Sequence, residues 1–134
     1  MCNQSPTKIL IAEDEGIIGL SLRMELESSG HEVCGVVATG EDAVACAFRS
    51  RPDLVLMDIN LSGEMDGIEA AQKIRTLRKV RLIFMTGYVD RDLMDRALSL
   101  KPLAYVTKPV SIYDLQLIID TWRNSPTAPP AILH

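Results

Sequence analysis

The chain has 134 residues, a formal charge of −4 and 47% apolar content, enough for one soluble domain with a single core. No apolar run approaches the ~18 residues that cross a bilayer, and Met1 to Lys8 lacks the charged-then-apolar order of a secretory signal, so a cytoplasmic protein without membrane insertion is expected. The acidic balance has no basic stripe to offset it, which argues against direct nucleic-acid binding.

Lys8-Ile9-Leu10-Ile11-Ala12 is a short apolar run ending in Glu13-Asp14-Glu15, and it reads as a first strand with carboxylates at its carboxyl end. From Gly16 to Ser29 the period changes. Ile18, Leu22 and Leu26 recur every four residues and Ile17, Leu20 and Met24 widen the stripe, so a helix is expected, stopped by Ser28-Ser29-Gly30. His31 to Val37, with Val33, Val36 and Val37, reads as a second strand. Thr39 before Gly40-Glu41-Asp42 is an N-cap signal for a second helix with a small-residue face of Ala43, Val44 and Ala47. Leu54-Val55-Leu56-Met57-Asp58, between Pro52-Asp53 and Ser62-Gly63, reads as a third strand buried on both faces.

Gly67 to Leu77 is the expected third helix, with Ile68, Ala71, Ile74 and Leu77 on one face. Lys73, Arg75, Arg78 and Lys79 crowd its carboxyl end and read as a solvated complement to the helix dipole. Arg81 to Met85 is a fourth strand running into Thr86-Gly87. A fourth helix from Asp90 to Leu100, with Leu93, Ala97 and Leu100 inward, is broken by Pro102. Leu103 to Thr107 is a fifth strand closed by Lys108-Pro109, and Ser111 caps a fifth helix along which Ile112, Leu115, Ile119 and Trp122 recur. From Ser125 the tail contains Pro126, Pro129 and Pro130 and is expected to be a loose end. Cys2, Cys34 and Cys46 are odd in number and not spaced as metal ligands, so they read as reduced thiols, and neither His31 nor His134 has a neighbour that suggests a metal or a triad.

Five strands alternating with five helices imply an α/β domain, a doubly wound, flavodoxin-like parallel sheet with helices on both faces. The expected strand order is 2-1-3-4-5, with the ligand crevice where strand 1 neighbours strand 3. Residues 8–124 form this domain, 1–7 an extension before it and 125–134 a Pro-rich tail. The carboxyl edge of the sheet then collects Glu13 and Asp14 from strand 1, Asp58 from strand 3, Thr86 from strand 4 and Lys108 from strand 5. Carboxylates so close repel, and a hard cation relieves them. Mg²⁺ suits one or two direct carboxylates plus a phosphate oxygen. With that ion, Asp58 is a candidate nucleophile toward phosphorus. The metal, the Lys108 ammonium, the Thr86 hydroxyl and the Gly87 backbone N–H then neutralise the phosphoryl oxygens.

Those pieces, Ile9-Leu10-Ile11-Ala12-Glu13-Asp14, Pro52-Asp53-Leu54-Val55-Leu56-Met57-Asp58, Asp66-Gly67, Met85-Thr86-Gly87 and Tyr105-Val106-Thr107-Lys108-Pro109, stand in the order and spacing of a known family. Over Lys8 to Asn124 the sequence resembles the receiver domains of two-component response regulators. The resemblance implies a chain that is not an enzyme in its own right. It would take a phosphoryl group onto Asp58 from a phosphohistidine on a sensor histidine kinase or a phosphotransfer protein. It implies Mg²⁺, with Mn²⁺ as a substitute, held by Glu13, Asp14, Asp58 and the backbone carbonyl of Asn60. It implies phosphate contacts from Thr86 and Lys108 and a cis Lys108-Pro109 bond. Thr86 would shift toward the phosphate and Tyr105 would rotate inward behind it. Helix 4, strand 5 and helix 5 would then signal to a downstream partner protein or output domain, with a homodimer left open. Asn60 and Tyr88 flank the path of the attacking water in this family and are expected to tune the phosphate lifetime.

Two stretches depart from the family pattern. The loop Asn60-Leu61-Ser62-Gly63-Glu64-Met65-Asp66-Gly67 lacks the usual proline, and Lys101-Pro102-Leu103-Ala104 replaces the usual Gly-Ala before strand 5. Two other readings compete. A Mg²⁺-dependent phosphatase with an aspartyl-phosphate intermediate would want an acid where Asn60 stands, and a receiver-like interaction module that is never phosphorylated would not need the intact acidic pair, Thr86 and Lys108.

Overall fold

The computed structural model describes residues 6–127 and 129–133. Cys2, His134 and most of the expected N-terminal extension lie outside the described residues. The elements alternate as β1 (Lys8–Ala12), α1 (Gly16–Ser28), β2 (Glu32–Val37), α2 (Gly40–Ser50), β3 (Leu54–Asp58), α3 (Gly67–Leu77), β4 (Arg81–Thr86), α4 (Arg91–Leu98), β5 (Ala104–Thr107), α5 (Ile112–Asn124) and β6 (Ala131–Leu133). They form one parallel sheet in the order β2-β1-β3-β4-β5-β6. The expected order is correct for the first five strands, and the sixth is new.

The sixth strand corrects the reading of the tail as a loose end. Ala131, Ile132 and Leu133 pair with Ala104, Tyr105 and Val106, and the Ala131 N–H donates to the Leu103 carbonyl at 2.9 Å. Three residues are too few to show a period, and the prolines before them read as disorder. Prolines also suit the outer rim of a sheet, where no neighbour needs their missing N–H. Ala131 and Leu133 pack on the side of the sheet covered by α1 and α5, beside Leu103 and Trp122. The unit β5–α5–β6 therefore repeats the strand–helix–strand plan of the rest of the chain.

Two apolar layers hold the sheet. On one face Leu10, Ala12, Val55, Met57, Leu82, Phe84 and Tyr105 meet α2, α3 and α4. On the other Ile9, Ile11, Leu54, Leu56, Ile83, Met85 and Val106 meet α1 and α5. β1 and β3 run through the middle, so their residues are buried on both faces and read as unbroken apolar runs. Helix α1 uses a narrower stripe than its sequence suggests. Leu22 and Leu26 are buried and Ile18 packs beside them, but Ile17, Leu20 and Met24 face outward, Ile17 with 87% of its surface exposed.

The helix ends follow local chemistry. The Thr39 side chain accepts from the Asp42 N–H at 3.1 Å. Asp66 and Glu69 cap α3 reciprocally, the Glu69 N–H donating to Asp66 Oδ1 at 2.8 Å and the Asp66 N–H to Glu69 Oε1 at 3.0 Å. Helix α2 stops at Arg51, which adopts a left-handed conformation with φ of 52°, one residue before Pro52. Helix α4 ends at Leu98 and Lys101 turns the chain with φ of 53°, so α4 is shorter than its apolar pattern suggests. The basic end of α3 is more than solvated. Arg75 donates to the carbonyls of Val80 at 3.0 Å and Leu100 at 2.6 Å, and Arg78 stacks on Phe48 with its guanidinium carbon 5.3 Å from the ring centre.

Candidate phosphoacceptor site

Parallel pairing brings the carboxyl ends of the central strands into register. Ala12 pairs with Met57 and Asp58 with Met85, and the Ile59 N–H donates to the Met85 carbonyl at 2.9 Å. The residues just beyond, Glu13, Asp14, Asp58, Thr86 and Lys108, therefore gather at one edge. Carboxylate oxygens of Glu13, Asp14 and Asp58 lie within 4.8 Å of one another. Asp58 and Glu13 have 3% and 0% of their side chains exposed, Lys108 14%.

Lys108 reaches this group from the end of β5. Its Nζ donates to Asp58 Oδ2 at 2.8 Å. It also stands 2.8 Å from Glu13 Oε1 and 3.9 Å from Glu15 Oε1. The Glu13 contact is a close ion pair whose angles miss hydrogen-bond geometry, so that oxygen keeps bonding capacity unused. Burial pushes the Glu13 carboxyl up from 4.5 to about 7, with Asp58 adding to the rise, although Lys108 and the Glu15 N–H pull it back. Burial alone would lower the Lys108 ammonium, but the bond to Asp58 and the charges of Asp58 and Glu13 outweigh it and hold the group above its ordinary value.

The second rank of residues frames a cleft lined by Asp14, Glu15, Asp58, Asn60, Gly87, Tyr88 and Lys108. The Asn60 N–H donates to Asp58 Oδ1 at 2.9 Å, and the Asn60 amide donates to the Tyr88 hydroxyl at 3.0 Å. Asn60 and Tyr88 thus meet across the cleft. The Thr86 hydroxyl donates to the Tyr88 carbonyl at 2.8 Å and lies 3.5 Å from Asn60 Oδ1. A Cβ at Gly87 would meet nothing within 4 Å, which leaves that side of the cleft open. Tyr105 is fully buried on β5, facing α4 rather than solvent. Burial raises its hydroxyl pKa while the Thr86 side chain opposes the rise. The Lys108-Pro109 bond is cis.

The loop after β3 is shaped by close approach. Gly67 passes so near the Asp58 carbonyl and Ile59 that any side chain there would collide with backbone. Its N–H donates to the Ile59 carbonyl at 3.0 Å. Ser62, which carries no functional signal in the sequence, places its hydroxyl 2.8 Å from Asp14 Oδ2 as a donor. Only the folded path of the loop reveals that contact. Outside the site, burial pushes the Cys34 thiol to about 11, Cys46 is buried, and His31 bonds Gln116 at 2.9 Å between Nε2 and Oε1. These three are packing groups remote from the carboxylates.

The donor set is all oxygen, carries surplus negative charge and includes a buried carboxyl with unused bonding capacity, so it fits a small hard cation better than a soft one. Comparison with known proteins agrees with this chemistry. The model of the response regulator receiver domain matches residues 9–120. The chain is similar to the transcriptional regulatory protein PdtaR of Mycobacterium tuberculosis, 40% identical over 110 residues that cover 82% of this chain and 53% of that protein. It is also similar to the phyllosphere-induced regulator PhyR of Methylorubrum extorquens, 35% identical over 114 residues that cover 84% and 42%. The chain spans about half the length of these curated relatives. Among solved structures, the signal receiver domain of a modulated diguanylate cyclase from Desulfovibrio desulfuricans superposes with a TM-score of 0.82 at 38% identity, covering 87% of this chain and 92% of that one. The receiver domain of a sensor histidine kinase from Pseudomonas aeruginosa, solved with a magnesium ion coordinated in its active site cleft, superposes with a TM-score of 0.77 at 31% identity, covering 90% and 99%. The fold, the acidic edge and these likenesses converge: the chain belongs to the receiver domain family of two-component response regulators.

Proposed function

We propose that Asp58 accepts a phosphoryl group from a phosphohistidine on a sensor histidine kinase or phosphotransfer protein, and that the modified domain signals through α4, β5 and α5 to a downstream protein. The observation that carries this reading is the Asp58 carboxylate, buried at the end of β3 and held by Lys108 at 2.8 Å among two further carboxylates. Glu13, Asp14, Asp58 and the Asn60 backbone carbonyl would hold Mg²⁺, or Mn²⁺ in its place. When bound, the ion neutralises the carboxylates and one phosphoryl oxygen.

The protein's own residues account for the rest. Asp58 forms its bond to phosphorus as the bond from phosphorus to the histidine nitrogen breaks, and the imidazole leaves with the electron pair. Lys108 transfers its donation from Asp58 to a phosphoryl oxygen. Thr86 gives up the Tyr88 carbonyl to donate to a second, and the Gly87 N–H lies at the same opening. The shift of Thr86 changes what Tyr105 packs against, which couples the carboxyl edge to the α4–β5 surface. Asn60 and Tyr88, bonded across the cleft, set how readily water reaches the acyl phosphate and so its lifetime. No group at Asn60 can protonate a leaving alcohol, which favours a stored phosphoryl group over turnover.

The test is intact mass after incubation with Mg²⁺ and a small acyl phosphate. A gain of one phosphoryl group that vanishes in Asp58→Asn supports the reading. Donor consumption with no retained group supports a phosphatase, and no gain in the wild type leaves an interaction module. Sedimentation with and without the donor reports whether modification produces a homodimer.

A further inference from the structure

We infer that Ser62 is a positioning residue of the cation site: its hydroxyl holds the Asp14 carboxylate in the orientation that completes the acidic cluster. The inference rests on the reading of Glu13, Asp14 and Asp58 as cation ligands.

Asp14 needs such a partner. Glu13 and Asp58 are buried and tied to Lys108 at 2.8 Å each, whereas Asp14 is more exposed and opens toward the cleft. A carboxylate placed beside two others is pushed outward by their charge, and its side chain has the rotamer freedom to leave. Against that push stands the Ser62 hydroxyl, donating to Asp14 Oδ2 at 2.8 Å. With Oδ2 so held, an oxygen of Asp14 still lies within 4.8 Å of oxygens of Glu13 and Asp58.

The donor type matters. A lysine or arginine at this position would cancel the charge of Asp14 and compete with a cation. A hydroxyl is neutral, so it fixes direction and leaves the charge available. Partners of this kind orient metal ligands and set their affinity.

Ser62 is itself held from both sides. Its backbone bridges Thr39 in parallel fashion, and Thr39 is locked as the cap of α2. Leu61 before it is buried. Gly63 after it turns the chain at φ of 101°, a left-handed conformation that favours glycine. The hydroxyl therefore arrives in place without ordering a free loop. This stretch is also one of the two that depart from the usual family pattern.

The experiment measures Mg²⁺ affinity of the full chain by calorimetry for the wild type, Ser62→Ala and Ser62→Thr, with thermal unfolding in chelator alongside. The expected result is a loss of about 10- to 100-fold in affinity for Ser62→Ala. Its unfolding temperature in chelator stays unchanged, and Ser62→Thr, which keeps the hydroxyl, binds within about threefold of the wild type. Equal binding by Ser62→Ala and wild type overturns the inference. An equal loss in both variants overturns it too, because the backbone path rather than the hydroxyl would then set the affinity. Absence of Mg²⁺ binding by the wild type overturns the cation reading as a whole, and is told apart by occurring before any substitution.

Discussion

Replacing Glu13 by Gln should change how stability depends on pH, because Glu13 is a carboxyl held where its charge is costly. The group ordinarily releases its proton at 4.5 and in the fold keeps it to about 7, chiefly through burial and despite Lys108. At about 1.4 kcal/mol per tenfold in proton affinity, this ties on the order of 3 kcal/mol of folding free energy to the protonation of one side chain. The sign follows from which state binds more protons. Between 4.5 and 7 the folded protein holds the Glu13 proton and the unfolded chain has released it. The stabilisation is therefore complete below 4.5, falls as pH rises and is gone above 7. In chelator, urea unfolding followed through Trp122 should show the wild type losing stability across that window relative to Glu13→Gln, whose side chain cannot ionise. Above pH 7.5 the variant should be the more stable protein. Mg²⁺ should recover the wild type most strongly at the same high pH, since the ion binds the ionised carboxylate. Parallel stability profiles for the two proteins from pH 4.5 to 8 would refute the assignment.

Lys108→Met should cost on the order of 3–5 kcal/mol in chelator, because Asp58 and Glu13 lose the cation 2.8 Å from both. The loss, read by denaturant unfolding, should grow with pH and shrink on addition of Mg²⁺. Gly67→Ala should destabilise the domain by about 1–3 kcal/mol and impair modification of Asp58, because the added methyl collides with the Asp58 carbonyl. Thermal unfolding and the mass assay check both effects. Deleting residues 125–134 should remove β6, lower stability by about 1–2 kcal/mol and shift Trp122 emission to the red. That indole lines a cavity with Pro126, Pro129, Ala131 and Leu133. Hydrogen exchange at β5 should quicken in the same variant, and unchanged exchange would show that β6 does not cover that edge.

The parts legible in the sequence are those where one rule dominates. An apolar run buried on both faces admits few identities, so β1, β3 and β4 stand out, and a parallel sheet gathers whatever follows them. That is why the sequence alone groups Glu13, Asp14, Asp58, Thr86 and Lys108 at one edge, and why the acids lie close together. Legibility fails where a contact depends on a path. Ile17, Leu20 and Met24 are apolar at helical spacing yet face outward, because periodicity gives a stripe but not its width. Arg75 and Arg78 look like solvated charge at a helix end, but their long side chains reach the carbonyls of Val80 and Leu100 and, in α2, of Phe48. Ile132 and its neighbours became a strand only because β5 offered an unpaired edge.

The carboxyl edge is best understood as a charge imbalance with two remedies. Lys108 is one cation set against Glu13, Asp14 and Asp58, and it divides itself between two of them. The first remedy is a proton on Glu13, which burial makes available up to about pH 7. The second is a divalent cation, which the converging oxygens suit better than a proton does because it satisfies several of them at once. On the proposed reading an acyl phosphate at Asp58 would add negative charge rather than remove it, so its oxygens would depend on Lys108, Thr86 and the ion. The two are coupled, because the proton competes with the ion for Glu13, and on the proposed reading a Lys108 released from the carboxylates is the donor a phosphoryl oxygen requires. A switch needs this kind of coupling. Three acids around one lysine have an electrostatic reason to take up a cation, and that cation would in turn offset the charge a phosphoryl group brings.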